Sequence, residues 1–291
     1  MKRFLLLCLF MLTAFSILAQ DIANIFDKIT DPIFKEYCQR FDANGDGVLS
    51  PDEAATVAEM NILNDGYSPK LIITYNLDSV AKIKRAYIES LDGIEYFTNL
   101  TMLNCSGSNI TSLDLSKNAK LTRLSCRENK ITKLNLENNA VLTNLACGIN
   151  RLDTLNLSNN TALTELDCCG NQLTELNLTN NTELSILICC FNNLKTLDIS
   201  NNTRLVALDC SSNKLNSINL SNNTALKNLY CNRNLLRSLD LSNNSLLHYL
   251  YCYDNSKLSS IYMWRGFNFD KPQNSLRYID KDPAAYFKLK P

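Results

Sequence analysis

The sequence predicts a mostly β solenoid, in which short parallel strands wind eight times around an apolar core. Two observations predict this fold. Cysteines recur eight times at a spacing of 21 residues, and the frame LxxLxCxxNxL around them repeats without a gap from Leu100 to Asn255. The second half of each unit, such as Leu173, Leu176 and Leu178, repeats the apolar spacing of the first half. We therefore expect two short strands in each coil.

The connection between coils is polar and has no helical period. Four coils use the tract Asn-Asn-Thr, for example at residues 159–161, and such residues favour turns. We expect these asparagines to stack into ladders along one side of the molecule. A repeat of about 20 to 29 residues with this apolar spacing is typical of a leucine-rich-repeat solenoid, which we predict over residues 100–263.

The repeated cysteines are predicted to lie in the core. Strand alternation points the fourth and sixth positions of the frame inward, so a thiol stands where a typical repeat has leucine. Free cysteine is often buried and is then unreactive, which favours a small apolar filler. The alternative is a column of thiolates that binds a soft metal such as copper or zinc. The residues are Cys105, Cys126, Cys147, Cys168, Cys189, Cys210, Cys231 and Cys252.

Two further cysteines, Cys169 and Cys190, follow repeated cysteines in neighbouring coils and point outward. A strand spacing of about 4.8 Å fits the Cα separation of a disulfide. In-register parallel strands, however, rarely provide the torsion that the bond needs. The sequence leaves the bond open and favours two free thiols.

Composition narrows the function classes. The chain has 291 residues, enough for one or two domains, with 29 Lys and Arg against 29 Asp and Glu. It therefore lacks the basic excess expected for binding nucleic acid or an anionic membrane. His248 is the only histidine, and no zinc signature, phosphate loop or serine triad arrangement is present. We predict a protein that is not an enzyme.

Residues 1–19 are predicted to be a secretory signal peptide. Lys2 and Arg3 precede an apolar run from Phe4 to Leu18, and Ala19 ends it. A membrane anchor is the alternative, but the run is shorter than the roughly 20 residues that a bilayer requires. We expect export to the periplasm, the cell surface or the medium, with no transmembrane segment after the leader is removed.

Residues 20–66 predict a small helical segment that contains an EF-hand-like calcium loop. Asp31 and Pro32 start a helix, and the next stretch matches the EF-hand loop at its diagnostic positions. An exit helix carrying Val57, Met60, Ile62 and Leu63 is expected to follow. Calcium prefers oxygen ligands, which here are the side chains of Asp42, Asn44, Asp46, Ser50 and Glu53 and the carbonyl of Val48.

The calcium interpretation has an alternative. Asp46 and Gly47 form a simple turn in that case, and Ser50 and Glu53 form a capping box for the following helix. This alternative leaves the acidic pattern that begins at Asp42 without an explanation. We favour one weak structural site, with a Kd of about 10⁻⁴ to 10⁻³ M.

Both ends of the solenoid need a cover, because a terminal coil otherwise exposes its core. Residues 67–99 predict an N-terminal cap, since Ile94 and Phe97 lead directly into the repeated frame. The frame slips by one residue at Lys257. Residues 264–291 then predict a C-terminal cap.

The outward positions of the first strand vary, and apolar and aromatic side chains cluster in the later coils. Exposed patches of this kind mark partner-binding surfaces. The alternative is that the cap from Trp264 onward covers this face. The predicted ligand-binding residues are Ile186, Ile188, Phe191, Tyr230, Tyr249, Tyr251 and Tyr253.

The repeat supports a resemblance over about residues 91–263. The unit LxxLxCxxNxLxxLxLSNNTx, preceded by a leader, an acidic loop and the lead-in from Gly93 to Leu100, resembles exported leucine-rich-repeat proteins of Bacteroidetes-type bacteria. It is similar, more distantly, to the internalins. The resemblance implies a surface or secreted binding module.

These features predict a monomeric, exported, non-enzymatic protein. We expect it to recognise a protein or a glycan through its strand face and to bind calcium at one loop. The alternative function is that of a structural or thiol-rich, metal-handling exported protein.

Overall fold

The computed structural model describes residues 24–62, 70–75, 81–272 and 276–290. The predicted signal peptide, residues 1–19, lies outside the described residues, as does Leu63 of the predicted exit helix. Within the described part, no helix is both long enough and apolar enough to span a bilayer.

A ten-stranded parallel sheet forms one side of the solenoid, and each coil contributes one strand to it. We number coils 1 to 8 from their first leucines, at Leu100, Leu121, Leu142, Leu163, Leu184, Leu205, Leu226 and Leu247. Neighbouring strands pair in register. The strands are β1 (Glu59–Asn61), β4 (Met102–Asn104), β5 (Arg123–Ser125), β6 (Asn144–Ala146), β7 (Glu165–Asp167), β8 (Ile186–Ile188), β9 (Ala207–Asp209), β10 (Asn228–Tyr230), β12 (Tyr249–Tyr251) and β14 (Tyr278–Asp280).

On the opposite side of the solenoid, most coils have no second strand, so the expectation of two strands in every coil is wrong for the described residues. Strands occur there only near the C-terminal end of the described chain, as β11 (Ser238–Asp240), β13 (Ser260–Met263) and β15 (Tyr286–Leu289). In earlier coils the Ile131 N–H donates to the side-chain Oδ1 of Asn150, at 3.0 Å. The same bond, from the Leu236 N–H to Asn255 Oδ1 at 3.0 Å, is present in the coil that contains β11, so it is a feature of the repeat.

The core confirms the predicted inward positions. All eight repeated cysteines are fully buried free thiols. The leucines at the first and fourth positions are at most 2% exposed. The regular fold is thus a leucine-rich-repeat solenoid of about eight turns, preceded by a small helical segment.

The N-terminal helices are short. Helix α1 (Pro32–Cys38) is capped by Asp31, whose Oδ1 accepts from the N–H of Ile33 at 2.9 Å. Helix α2 (Pro51–Ala55) ends early, so the prediction of a long exit helix is wrong. Met60 lies on β1 instead and is fully buried, because pairing of β1 with β4 adds a strand to the parallel sheet.

An antiparallel hairpin of β2 (Lys70–Tyr75) and β3 (Ala81–Ala86) follows. The chain then buries Ile88 and Phe97 at the start of the solenoid. At the other end, β14 pairs with β12 as a further parallel strand. The alternative that the C-terminal residues cover the strand face is wrong for the described residues, because β14 extends that face.

Candidate functional site

The strand face is held by two kinds of bond between coils. Backbone ladders join the strands, and hydroxyl groups along one edge donate to the preceding coil, as Thr143 does to the Thr122 carbonyl at 3.1 Å. The middle residue of each strand is buried, while its neighbours are partly or fully exposed. The backbone of the face is therefore held by hydrogen bonds between coils, and its variable side chains point outward.

Three tyrosines stack on the C-terminal half of this face. The ring centroids of Tyr230 and Tyr251 are 4.7 Å apart, and those of Tyr251 and Tyr278 are also 4.7 Å apart. Partial burial in the stack, together with the neighbouring Tyr278 and Tyr230, raises the pKa of Tyr251. Tyr249 and Tyr253 lie half-buried beside it.

Sequence reasoning missed Tyr278, which is 45% exposed. It follows the slip of the frame at Lys257, so the repeat did not assign it to a strand. Its alternation with Ile279 and Asp280 is a weak signal for an additional strand. The structure places it in register with Tyr249.

The middle of the face carries the predicted apolar residues Ile186, Ile188 and Phe191. The two isoleucines are half-buried, whereas Phe191 is 56% exposed. Phe191 also has a φ of 50°, a left-handed conformation that costs a bulky residue about 1–2 kcal/mol. Equivalent residues of other coils, such as Glu128 and Arg233, have the same left-handed conformation, so this turn belongs to the repeat.

Cys169 and Cys190 form a disulfide next to Phe191, with Cα atoms 4.6 Å apart. The expectation of free thiols is wrong. Both residues follow the ends of their strands, where the chain turns through positive φ at Gly170 and Phe191. They are thus not confined to the flat strand pairing on which that expectation rested.

The N-terminal half of the face is an open groove of about 460 Å³. An ion pair between Arg127 and Asp167 borders it, reaching over Gly148 in the coil between them. Sequence reasoning did not find this groove. Its outward lining residues are Met102, Asn104, Arg123, Ser125, Asn144, Ala146, Glu165, Asp167, Ile186 and Ile188.

The predicted calcium loop is folded around its own amides. Asp42 accepts hydrogen bonds from the N–H groups of Gly45 and Gly47, at 2.8 and 2.9 Å. Asn44 accepts from Asp46 N–H at 2.9 Å. The positive φ of Gly47, 81°, permits the sharp turn.

Glu53 lies at the end of this loop and contacts both of its halves. Its Oε1 accepts from Ala43 N–H at 3.0 Å, and its Oε2 accepts from Ser50 N–H at 3.0 Å. The Ser50 hydroxyl accepts from Glu53 N–H, so the capping box is present. Hydrogen bonds from the Ser50 backbone and hydroxyl lower the pKa of Glu53.

The loop oxygens are all on one segment, but in the described residues the carboxylates do not gather into a group of three. Asp42, Asp46 and Glu53 each accept hydrogen bonds from backbone amides instead. The loop is anchored by Leu49, which is fully buried and whose carbonyl accepts from Ile25 N–H at 2.8 Å.

Burial also decides the chemistry of the repeated thiols. It raises the pKa of Cys105, Cys147 and Cys252 to about 12. Metal ligation requires thiolates, so the buried column favours the apolar-filler interpretation over the metal-binding one.

No protein-family model matches the sequence, and no curated protein matches it. Among solved structures, the functional domain of InlJ from Listeria monocytogenes, which includes a cysteine ladder, is 27% identical with a TM-score of 0.64. The match covers 92% of this chain and 63% of that one, slightly less than two thirds of its length.

Internalin C2 from Listeria monocytogenes is 20% identical with a TM-score of 0.61, over 77% of this chain and 94% of that one. The leucine-rich-repeat protein LIC12759 from Leptospira interrogans is 21% identical with a TM-score of 0.55, over 68% of this chain and 52% of that one. The chain therefore has an internalin-like leucine-rich-repeat fold.

Proposed function

We propose that this protein is an exported recognition module without catalytic activity, whose strand face binds a protein or a glycan. The observation that carries the proposal is the tyrosine stack Tyr230–Tyr251–Tyr278 on an uncovered strand face, with Phe191 exposed nearby. Tyrosine and large apolar groups are enriched where interfaces concentrate their binding energy.

The rigidity of the face supports this role. Side chains that are already ordered before binding lose less conformational entropy on association. The same fold serves binding elsewhere: the ectodomain of the Arabidopsis thaliana receptor kinase GASSHO1/SCHENGEN3 was solved with CASPARIAN STRIP INTEGRITY FACTOR 2. That ectodomain is 21% identical with a TM-score of 0.55, over 68% of this chain and 25% of its own.

The test compares Phe191→Ala and Tyr251→Ala with Tyr286→Ala in pull-downs with the mature chain as bait. Tyr286 is the matched control, because it is 71% exposed and lies on β15, on the opposite side of the solenoid. We expect the first two variants to lose partners that the control retains, with unchanged circular dichroism. Identical capture by all three variants rejects this site.

The proposal includes calcium at the loop from Asp42 to Glu53. The donor set is entirely oxygen, as calcium prefers, and the backbone turns are already formed. Binding would require the side chains of Asp46 and Glu53 to turn from backbone amides toward one cation. The site is a structural clip that ties α2 to the loop before it.

Titration calorimetry of wild type and Glu53→Gln tests the clip. Glutamine still completes a capping box, so this variant removes the carboxylate while it preserves the cap of α2. We expect calcium heat from the wild type alone. Equal heat from both proteins, or none from the wild type, defeats the calcium assignment.

A further inference from the structure

The groove over coils 1 to 5 is chemically unlike the aromatic half of the strand face. Its floor is made of small side chains, Ser125 and Ala146, which leave about 460 Å³ of open space. Its ends are apolar, with Met102 at one end and Ile188 at the other. A volume of this size is within the range of ligand sites.

One long side of the groove carries two opposite charges, because Arg123, Asn144 and Glu165 share one strand register. Arg123 on coil 2 and Glu165 on coil 4 are both exposed, and Asn144 on the coil between them is neutral. Two coil spacings separate the two charges by about 10 Å. Within the described part of the chain, neither side chain forms an ion pair.

A second pair of opposite charges on coils 2 and 4 lies further along the strands. Arg127 on coil 2 reaches Asp167 on coil 4 across Gly148. Gly148 does not have a positive φ, so its backbone does not require glycine. A Cβ at this position would lie 3.0 Å from Asp167 Oδ1 and from the Cys169 carbonyl oxygen, and 3.1 Å from Arg127 Nη1. The glycine therefore leaves room for this ion pair and for the close approach of the Cys169 carbonyl.

We propose that this groove binds an extended peptide segment of a protein partner, with an acidic side chain toward Arg123 and a basic side chain toward Glu165. Charge complementarity carries the choice, because the groove requires an anion and a cation in one ligand. Peptides supply both from ordinary side chains. The inference rests on the proposed recognition role and selects a protein partner for this half of the face.

The geometry also limits the peptide. Side chains two or four positions apart on one face of an extended chain are separated by about 7 or 13 Å. The separation of about 10 Å between Arg123 and Glu165 lies between these two values. Small peptide residues between the two charged ones fit over Ala146.

Three synthetic peptides test the charge pattern on the full mature chain. They share an alanine framework and differ only in the charged pair: Glu with Arg, Arg with Arg, or Glu with Glu. We expect wild type to prefer the mixed pair by about tenfold in fluorescence anisotropy. Arg123→Glu should switch the preference to the doubly basic peptide, and Glu165→Arg to the doubly acidic one.

A second pair of variants tests the location. Ala146→Tyr fills the groove, and the fold tolerates tyrosine at this register because Tyr230 and Tyr251 occupy it in coils 7 and 8. Ala207→Tyr is the matched control, since Ala207 lies outside the groove and Tyr249 occupies its register. We expect about tenfold weaker binding of the mixed peptide for Ala146→Tyr and unchanged binding for the control.

The proposal is overturned if wild type binds the three peptides equally or binds the mixed peptide more weakly than about 1 mM. It is also overturned if Ala146→Tyr binds as wild type does. These outcomes are independent of Phe191→Ala and Tyr251→Ala, which probe the aromatic half. The two sites can therefore fail separately.

Discussion

Single asparagines carry much of the bonding between coils. Asn160 is buried, and its Nδ2 donates to the carbonyls of Leu136 and Asn139 at 3.1 and 2.9 Å. Its neighbour Asn159 donates to the Glu137 carbonyl at 3.2 Å from an exposed position. The two bonds of Asn160 lie in the dry interior, whereas the bond of Asn159 competes with water.

We predict that Asn160→Ala lowers the free energy of unfolding by about 1–3 kcal/mol, because two buried carbonyls lose their donor. Asn159→Ala should change it by less than about 0.5 kcal/mol, as expected at the surface. Urea unfolding of both variants measures the difference. An equal loss of unfolding free energy in both variants would show that the buried asparagines stabilise the fold no more than the exposed ones.

The repeated thiols predict a pH dependence. Burial raises the pKa of Cys147 from its ordinary value of 9.0 to about 12. A group whose folded-state pKa is raised contributes stability that is present below pH 9 and is lost as pH rises toward 12. From pH 9 to pH 10, wild type should lose about 1 kcal/mol more than Cys147→Ala, because the unfolded thiol is already half ionised at pH 9. Parallel pH profiles of urea unfolding would contradict this.

At the scale of the elements, the disulfide between coils 4 and 5 is expected to stabilise the fold. Closing a loop of 21 residues between Cys169 and Cys190 restricts the unfolded chain and stabilises the fold by about 3 kcal/mol. We predict this loss for the variant with alanine at both positions. Reductant should destabilise the wild type to the same level and leave the variant unaffected. A reductant effect on the variant would point to another cause.

The elements also show which features the sequence can predict. The 21-residue period fixes which side chains point inward, so the buried leucines and cysteines were predictable. Met60 was not assigned correctly, because its helical spacing in the sequence competes with the parallel pairing offered by β4. The ion pair of Arg127 with Asp167 was missed, because it depends on side-chain reach across two coil spacings and on the space above Gly148.

The candidate sites were predicted unevenly for the same reason. Tyr230, Tyr249 and Tyr251 follow directly from the alternation of a regular strand. Tyr278 joins them only because β14 returns to the sheet after the frame has slipped. Local pattern identified the regular coils, whereas long-range pairing decided the end of the face.

At the scale of the whole molecule, each coil contacts mainly its neighbours, so stability is a sum of local terms. Deleting residues 205–225, one whole coil, should leave a folded chain, because equivalent partners meet at the new junction. Ending the chain at Met263 should instead uncover Leu250 and Ile261, both fully buried by the segments that follow. We predict binding of a hydrophobic dye by the second variant and not by the first. Strong dye binding by the coil deletion would contradict it.

The constant strand spacing fixes the distances between sites on the strand face. Coil 3, at the centre of the charged groove, and coil 8, in the tyrosine stack, are five spacings apart, or about 24 Å. A partner that engages both places at once gains avidity through a high effective concentration, provided that its own contact points match this span. A shorter partner binds one place at a time, so the protein would select its targets by their length as well as by their chemistry.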